Sequence, residues 1–376
     1  MTVKSWKKLV AVAAAGLSII SLGACAAERG GNSGGDSTSS DNLIGISMPT
    51  RSLERWNNDG EHLESLLQDK GFATSLQFAD NRVDQQISQL QNMINDGADV
   101  LVIAAIDGTA LSPVLQSAAD AGVTVVAYDR LINRTPNVDY YATFDNELVG
   151  QMQGEFIRDS LNLDEGAGPF NIELFAGSPD DNNARFFFAG AWGVLEQYFT
   201  SGQLVSPSGN VPASLDQWTQ IGIQGWSSQT AQDEMETRLN SFYTDGKTVD
   251  VVLSPNDSLA IGIAQALQSA GYSAGDSWPI ITGQDADVAN VQNMIDGLQA
   301  MTVWKDTRSL GAQVATMVDQ IVNGQTVDVN DTETYNNGVK VVPTFLITPQ
   351  VIVRDEIQGQ LIDSGFIQAN QLHGLN

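Results

Sequence analysis

The chain is poor in the residues that most often carry covalent or metal chemistry. Its 376 residues include one cysteine and two histidines. With Cys25 alone, a disulfide framework is excluded, and a thiol-based or cysteine-metal site is not expected. His62 and His373 cannot supply a histidine cluster, and no acidic run completes a calcium loop with its terminal Glu, so neither metal nor cofactor is expected. Positive charge is equally short: 18 Lys and Arg stand against 45 Asp and Glu, a formal charge of −27. Such a surface repels phosphates, which argues against a nucleic-acid partner. Long apolar runs are also missing, apart from the 14 residues from Leu9 to Leu22, too few for a comfortable membrane span.

That run has its own reading. Lys4, Lys7 and Lys8 precede it and Leu22-Gly23-Ala24-Cys25 closes it, the order of an export signal. Its ending resembles the lipobox of bacterial lipoproteins, which implies cleavage after residue 24 and a lipid on Cys25. Residues 1–24 are then signal peptide, and 25–42, with "ERGGNSGGDSTSSDN", form the lipidated cysteine and a flexible tether too polar to bury a core. The signal holds three lysines and no acid, so its loss moves the charge from −27 to −30. About 335 residues remain, enough for two lobes.

Beyond the tether, apolar runs such as "LIGISM", "ADVLVIAA", "VTVVAY", "FNIELFAG", "IGIQGW", "VDVVLS" and "VVPTFLI" alternate with helical spacing. Val83, Ile87, Leu90 and Ile94 share one helical face, as do Val149, Met152 and Phe156, and Leu310, Val314, Met317 and Ile321. The runs are continuous rather than alternating, which points to parallel strands covered on both faces. An α/β protein with two open, doubly wound parallel sheets fits this count better than one barrel.

The ends of the runs carry a pattern. "AAIDG" ends in Asp107, "AYDR" in Asp129 and Arg130, "ATFDN" in Asp145 and Asn146, "LSPND" in Asn256 and Asp257, "TGQDAD" in Asp285 and "TVWK" in Lys305. Any one of these acids and amides could simply cap a helix. Together they predict a shared polar cleft, because ligands of open α/β sheets sit at the carboxyl ends of the strands. Carboxylates, amides and cations suit a ligand rich in hydroxyls, each a donor and an acceptor. Flat rings cover the C–H faces of such a ligand. Arg55 and Trp56 offer a charged fork and a wall after the first strand, and Trp226 at the end of "IGIQGW" offers the opposing wall. Trp192 lies in a helical pattern and reads as packing.

At "TRSLERWNNDG", "VLVIAAIDGTALSPVL", "VVAYDRLI", "YYATFDNELVGQMQ", "PFNIELFAGSPDDNNA", "VLSPNDSLAIGI", "ITGQDADVANVQ", "MTVWKDT" and "NNGVKVVPTFL" the chain resembles the xylose-binding and multiple-monosaccharide-binding proteins of bacterial ABC sugar importers. "TRSLERW" is nearer the xylose-binding form; "PFNIELF" and "NDTETYNNGVKVVP" are nearer the multiple-sugar form. The resemblance implies the two-lobed fold of periplasmic binding proteins of type I, with three hinge strands and a sugar clamped between the lobes. Crossovers are expected near Asp145-Asn146, Lys305-Asp306 and Val341–Pro343. The first lobe would hold 43–145 and 306–341, the second 146–305 and 342–376. Carried over position by position, it implicates Arg51, Arg55, Trp56, Asp107, Asp129, Arg130, Asn146, Asn183, Trp226, Asn256, Asp257, Asp285 and Lys305 in sugar binding. The implied partners are a monosaccharide such as xylose, glucose or galactose, the permease of an ABC importer, and the outer face of the cell membrane through Cys25. A monomer is expected.

An extracytoplasmic glycoside hydrolase is the rival reading, since acids are plentiful and two suffice for that chemistry. Against it, the acids sit among Arg and Lys, which hold carboxylates ionised rather than poised as acids. A sugar receptor feeding a chemotaxis or signalling partner is the other alternative. A sugar-sensing repressor is argued against by the export signal, the charge and the lack of a helix-turn-helix before the first strand.

Overall fold

A computed structural model describes residues 42–375, except 245 and 276. The export signal, Cys25 and almost all of the tether lie outside the described residues. Two sheets, each carrying helices, account for most of what is described.

The first sheet has the order β11-β5-β4-β3-β1-β2, all parallel. Its strands are β1 (Leu43–Met48), β2 (Ala73–Phe78), β3 (Ala98–Ile103), β4 (Thr124–Tyr128), β5 (Tyr140–Phe144) and β11 (Thr344–Ile347). The two-residue period of a strand divides their side chains between two cores. Val100, Val102, Val126 and Tyr128 face the side where α1 (Glu54–Asp69) and α9 (Thr307–Val322) bring Leu63, Leu67, Leu310 and Val314. Leu101, Ile103, Val125 and Ala127 face the side where α2 (Val83–Asn95) and α3 (Ser112–Asp120) bring Leu90, Met93 and Leu115. Both faces are therefore dry, which is why these strands read as unbroken apolar runs.

In the second lobe, β6 (Phe170–Leu174), β7 (Leu204–Val205), β8 (Val251–Leu253) and β9 (Ile280–Ile281) pair in the order β7-β6-β8-β9. A parallel bridge from Gln284 to Val303 carries the sheet on to β10 (Met301–Trp304). There β12 (Gln350–Val353) adds an antiparallel edge to an otherwise parallel layer. The helices of this lobe are α4 (Asn146–Ser160), α5 (Asn182–Ser201), α6 (Ser228–Phe242), α7 (Asp257–Ser269) and α8 (Val288–Ile295). Helices α4 and α5 touch through backbone: a Cβ on Gly150 would lie 1.8 Å from the Phe187 carbonyl oxygen, and one on Gly190 2.0 Å from that of Glu147. Trp192, on α5, stacks on Phe188 at 5.7 Å within the core.

The chain passes between the sheets three times. It leaves the first after Phe144 to enter α4, returns after Trp304 to enter α9, and leaves again between Ile347 and Gln350. The third passage is later than the sequence placed it. Val342 is fully buried in the first lobe's core and the Pro343 carbonyl accepts from Tyr141 N–H, so residues 342–347 complete the first sheet. The run "IGIQGW" is also no strand. It makes one parallel bridge, from Gly222 to Ala176, and then kinks through Gly225, whose φ of 66° suits glycine.

Candidate functional site

The carboxyl ends of both sheets meet across a cleft, and the side chains there fall into two linked clusters. Arg55, in the first turn of α1, is the hub of one. Its guanidinium lies 3.0 Å from Asp59, 3.3 Å from Asp129 and, across the cleft, 3.2 Å from Asp285. Asp285 Oδ1 also receives Lys305 Nζ at 2.9 Å. Arg130 anchors the other cluster, with Nε 2.9 Å from Asp181 Oδ2, which also accepts the Trp226 indole N–H at 3.1 Å. Asn183 ties the clusters together: its Nδ2 donates to the Asp129 carbonyl at 2.6 Å, and its Oδ1 accepts from Tyr141.

These residues enclose a small, tightly lined cavity, with about 310 Å³ of space between atoms when the part open to solvent is included. Arg55, Trp56, Asp129, Arg130, Asn183, Trp226, Asn256, Asp285 and Lys305, all singled out in the sequence, line it. Leu53, Asp181, Phe187 and Gln284 line it too, and the sequence reading passed over them. Asp181 was hidden by its other role, since its carboxylate caps α5 by accepting from Asn183 N–H. Phe187 sits within an apolar helix, with Lys305 Nζ 5.3 Å from its ring centroid. Their signal would have been neighbourhood: Asp181 and Phe187 flank Asn183 by two and four residues.

Four of the expected residues do not line the cavity. Arg51 is exposed, holding Asn57 and lying 3.7 Å over the Phe78 ring. Asp107 accepts from Thr109 at an outer groove of the cleft. Asn146 is fully buried at the start of α4 and donates to Thr143. Asp257 is also fully buried, accepting from Gln299, Thr302 and the Asp287 N–H. Trp56 lines the cavity, but its ring is engaged: the guanidiniums of Arg55 and Arg130 lie 4.5 and 5.0 Å from its centroid.

The walls are held in uncommon backbone. Asp129, Trp226, Asp285 and Ala286 all have positive φ, between 54° and 102°. Non-glycine residues in this region are unusual and cluster where the surroundings fix them, often at binding sites.

Burial raises carboxyl pKa values, and cations lower them. At Asp285 burial pushes upward, but Lys305 and Arg55 outweigh it and hold the carboxyl below its ordinary value. At Asp181 burial wins over Arg130 and the shift is upward. Burial likewise raises Asp59 against the pull of Arg55. Beneath the floor, burial with Asp287 and Asp285 nearby holds Asp257 well above the usual range.

Among the described residues no group of three or more His, Cys, Asp or Glu is placed to hold a metal, and no helix is long and apolar enough to cross a membrane.

Residues 44–326 match the family described as periplasmic binding protein domain. The multiple sugar-binding periplasmic receptor of Rhizobium radiobacter is 46% identical over 98% of this chain and 99% of its own length. The D-xylose-binding periplasmic protein of Escherichia coli is 36% identical over 88% of this chain and 92% of its own. Among solved structures, an ABC transporter solute-binding protein of Clostridium phytofermentans with bound β-D-glucose superimposes with a TM-score of 0.84. It is 48% identical and is matched over 88% of this chain and 100% of that one. These relatives are binding and receptor proteins, not enzymes. With two sheets meeting at their carboxyl ends, three passages between them and these relatives along nearly its whole length, the chain belongs to the periplasmic binding protein family, on its sugar-binding branch.

Proposed function

We propose that this protein is an extracytoplasmic solute-binding lipoprotein that captures one monosaccharide between its lobes and hands it to an ABC importer. The observation that carries the reading is the cavity, whose polar walls come from both lobes. Arg55, Arg130 and Lys305 present donors only. Asp129, Asp181 and Asp285 present acceptors, and Asn183, Asn256 and Gln284 present both. Arg55 Nε and Gln284 Oε1 are buried with no hydrogen-bond partner among the described residues. Asp129 Oδ1 likewise has no hydrogen-bond partner there beyond its ion contact with Arg55, and one donor with two acceptors left over in one small chamber fit hydroxyl groups, which serve either. Trp226 and Phe187, edge to face at 6.2 Å, supply the apolar side for C–H groups.

Because Arg55–Asp285 and Arg130–Asp181 span the cleft, ligand and lobes are held by one network. Closure around the ligand is then the state a permease reads. Asp107 acts at the outer groove, Arg51 at the outer lip, and Asn146 and Asp257 support the walls from beneath. The β-D-glucose of the Clostridium phytofermentans relative and the D-xylose of the Escherichia coli one favour an aldose for this cavity. Lipid on Cys25 would keep the loaded protein beside its importer.

Calorimetric titration of the mature protein with glucose, xylose, galactose and fructose tests the reading. One saturable site for at least one of them, with the sugar recovered unchanged, is expected. Failure of every monosaccharide to bind, or conversion of the sugar, overturns it.

A further inference from the structure

Trp226 does not stand on a regular element. It ends a short turn with two consecutive left-handed residues, Gly225 at φ 66° and Trp226 at φ 54°. Its ring lies against Gly177, where a Cβ would fall 2.0 Å from the indole. The Gly222–Ala176 bridge holds the start of this turn against the loop after β6, and the indole bond to Asp181 holds its end, which leaves the left-handed kink between them to be fixed by other contacts.

We propose that Asp180 is the positioning residue that joins these two wall-bearing loops and so sets the orientation of Trp226 in the cavity. The Asp180 side chain does not line the cavity. Its Oδ1 accepts from Ser178 Oγ at 2.5 Å, and its Oδ2 accepts from Gln224 Nε2 at 2.5 Å, two residues before Trp226. Ser178 Oγ in turn accepts the Gly225 N–H at 2.7 Å. The carboxylate thus pulls on the turn from both sides of its kink, once directly and once through Ser178. Bonds to an ionised acceptor are the stronger kind, which suits a joint that must hold an unfavourable backbone. The same loop faces the other lobe, since the Asp180 carbonyl accepts the Gly108 N–H across the cleft at 3.3 Å. Asp180 therefore links the aromatic wall to the place where the lobes meet.

The inference rests on the sugar-binding reading for its affinity arm but not for its conformational arm. Both arms use the full protein. The conformational arm measures acrylamide quenching of Trp226 as the difference between each variant and the same variant carrying Trp226→Phe. The affinity arm titrates a sugar that the wild type binds. Asp180→Ala should make Trp226 distinctly more quenchable and weaken binding about tenfold, with little change in the urea midpoint. Gln224→Glu sets two carboxylates together and should do the same. Asp180→Asn combined with Gln224→Glu restores a donor–acceptor pair and should recover both readouts. Unchanged quenching in Asp180→Ala and Gln224→Glu overturns the proposal, as does a double variant no better than Gln224→Glu. Loss of affinity that merely tracks a lowered urea midpoint overturns it too. If no sugar binds the wild type, the function is wrong, and the quenching arm still decides the role of Asp180.

Discussion

Asp285→Asn isolates one charge at the meeting point of the lobes, and its cost can be worked from the contacts. Asp285 Oδ1 receives Lys305 at 2.9 Å and Arg55 at 3.2 Å. Arg55 keeps Asp59 and Asp129 when Asp285 is neutralised, but Lys305, 2% exposed, has no other carboxylate within 4.0 Å among the described residues. An orphaned buried charge costs about 3–5 kcal/mol when nothing compensates. Asparagine still offers one acceptor oxygen, and it tolerates the positive φ of 102° at this position. The lower figure for an unsatisfied buried group, about 1–3 kcal/mol, therefore applies. Lys305 and Asp285 both belong to the second lobe, so the Lys305 share is lost open or closed; the Arg55 contact crosses the cleft, so its share falls on the closed form and appears as affinity, about 5-fold to 100-fold at roughly 1.4 kcal/mol per decade. Calorimetry with one sugar that the wild type binds measures it. Trp192→Ala is the control. It removes a ring packed in the second lobe's core, costs about 3–5 kcal/mol of stability, and spares affinity in the folded fraction. An Asp285→Asn affinity within twofold of wild type refutes the reasoning and leaves this carboxylate a passive part of the wall.

Burial, with Asp285 and Glu54 nearby, pushes the Asp287 carboxyl up to about 8. The folded form then keeps a proton that the unfolded chain loses near its ordinary value of about 4, so this group's contribution is full below pH 4 and fades as pH rises toward 8. Asp287→Asn should flatten the fall in Tm between pH 5 and 8; identical pH profiles for variant and wild type would show that Asp287 titrates normally. Gly150→Ala forces a methyl 1.8 Å from the Phe187 carbonyl, which backbone cannot yield cheaply, and should cost about 3 kcal/mol or more by urea denaturation. A variant as stable as wild type would mean that α4 and α5 are free to separate. Cys25→Ser should release the protein from membrane fractions and leave sugar binding intact; a variant that still sediments with membranes would count against the lipid anchor.

Much of the fold was legible because parallel strands with two covered faces write themselves as unbroken apolar runs. "ADVLVIAA" and "VTVVAY" are β3 and β4 with little ambiguity. Where the layer departs from that rule, the signal failed. The antiparallel edge β12 has no local mark of its direction, and "IGIQGW" has the composition of a strand but the glycines of a kink. "VVPTFLI" was legible as a strand but not as a member of the first sheet, because partner choice is made by β5, about 200 residues earlier in the chain.

The local sequence determined which residues reach the cleft wherever a strand end projects them: Asp129, Asn256, Asp285 and Lys305 follow directly from chain order and strand length. It also determined the acidic charge and the absence of a cysteine framework. Only the tertiary structure decided which cation meets which acid. Arg55 takes Asp129 and Asp285 besides Asp59 of its own helix, Arg130 takes Asp181, and Trp56 gives its ring to two guanidiniums. It also decided that Asp257 lies beneath the cavity floor while Asn256, one residue earlier, lines the wall. The reason is physical: strand and helix periods are local and repeat along the chain. Pairing between two lobes depends on how the sheets are set by three short passages, and no periodicity in the sequence encodes that distance.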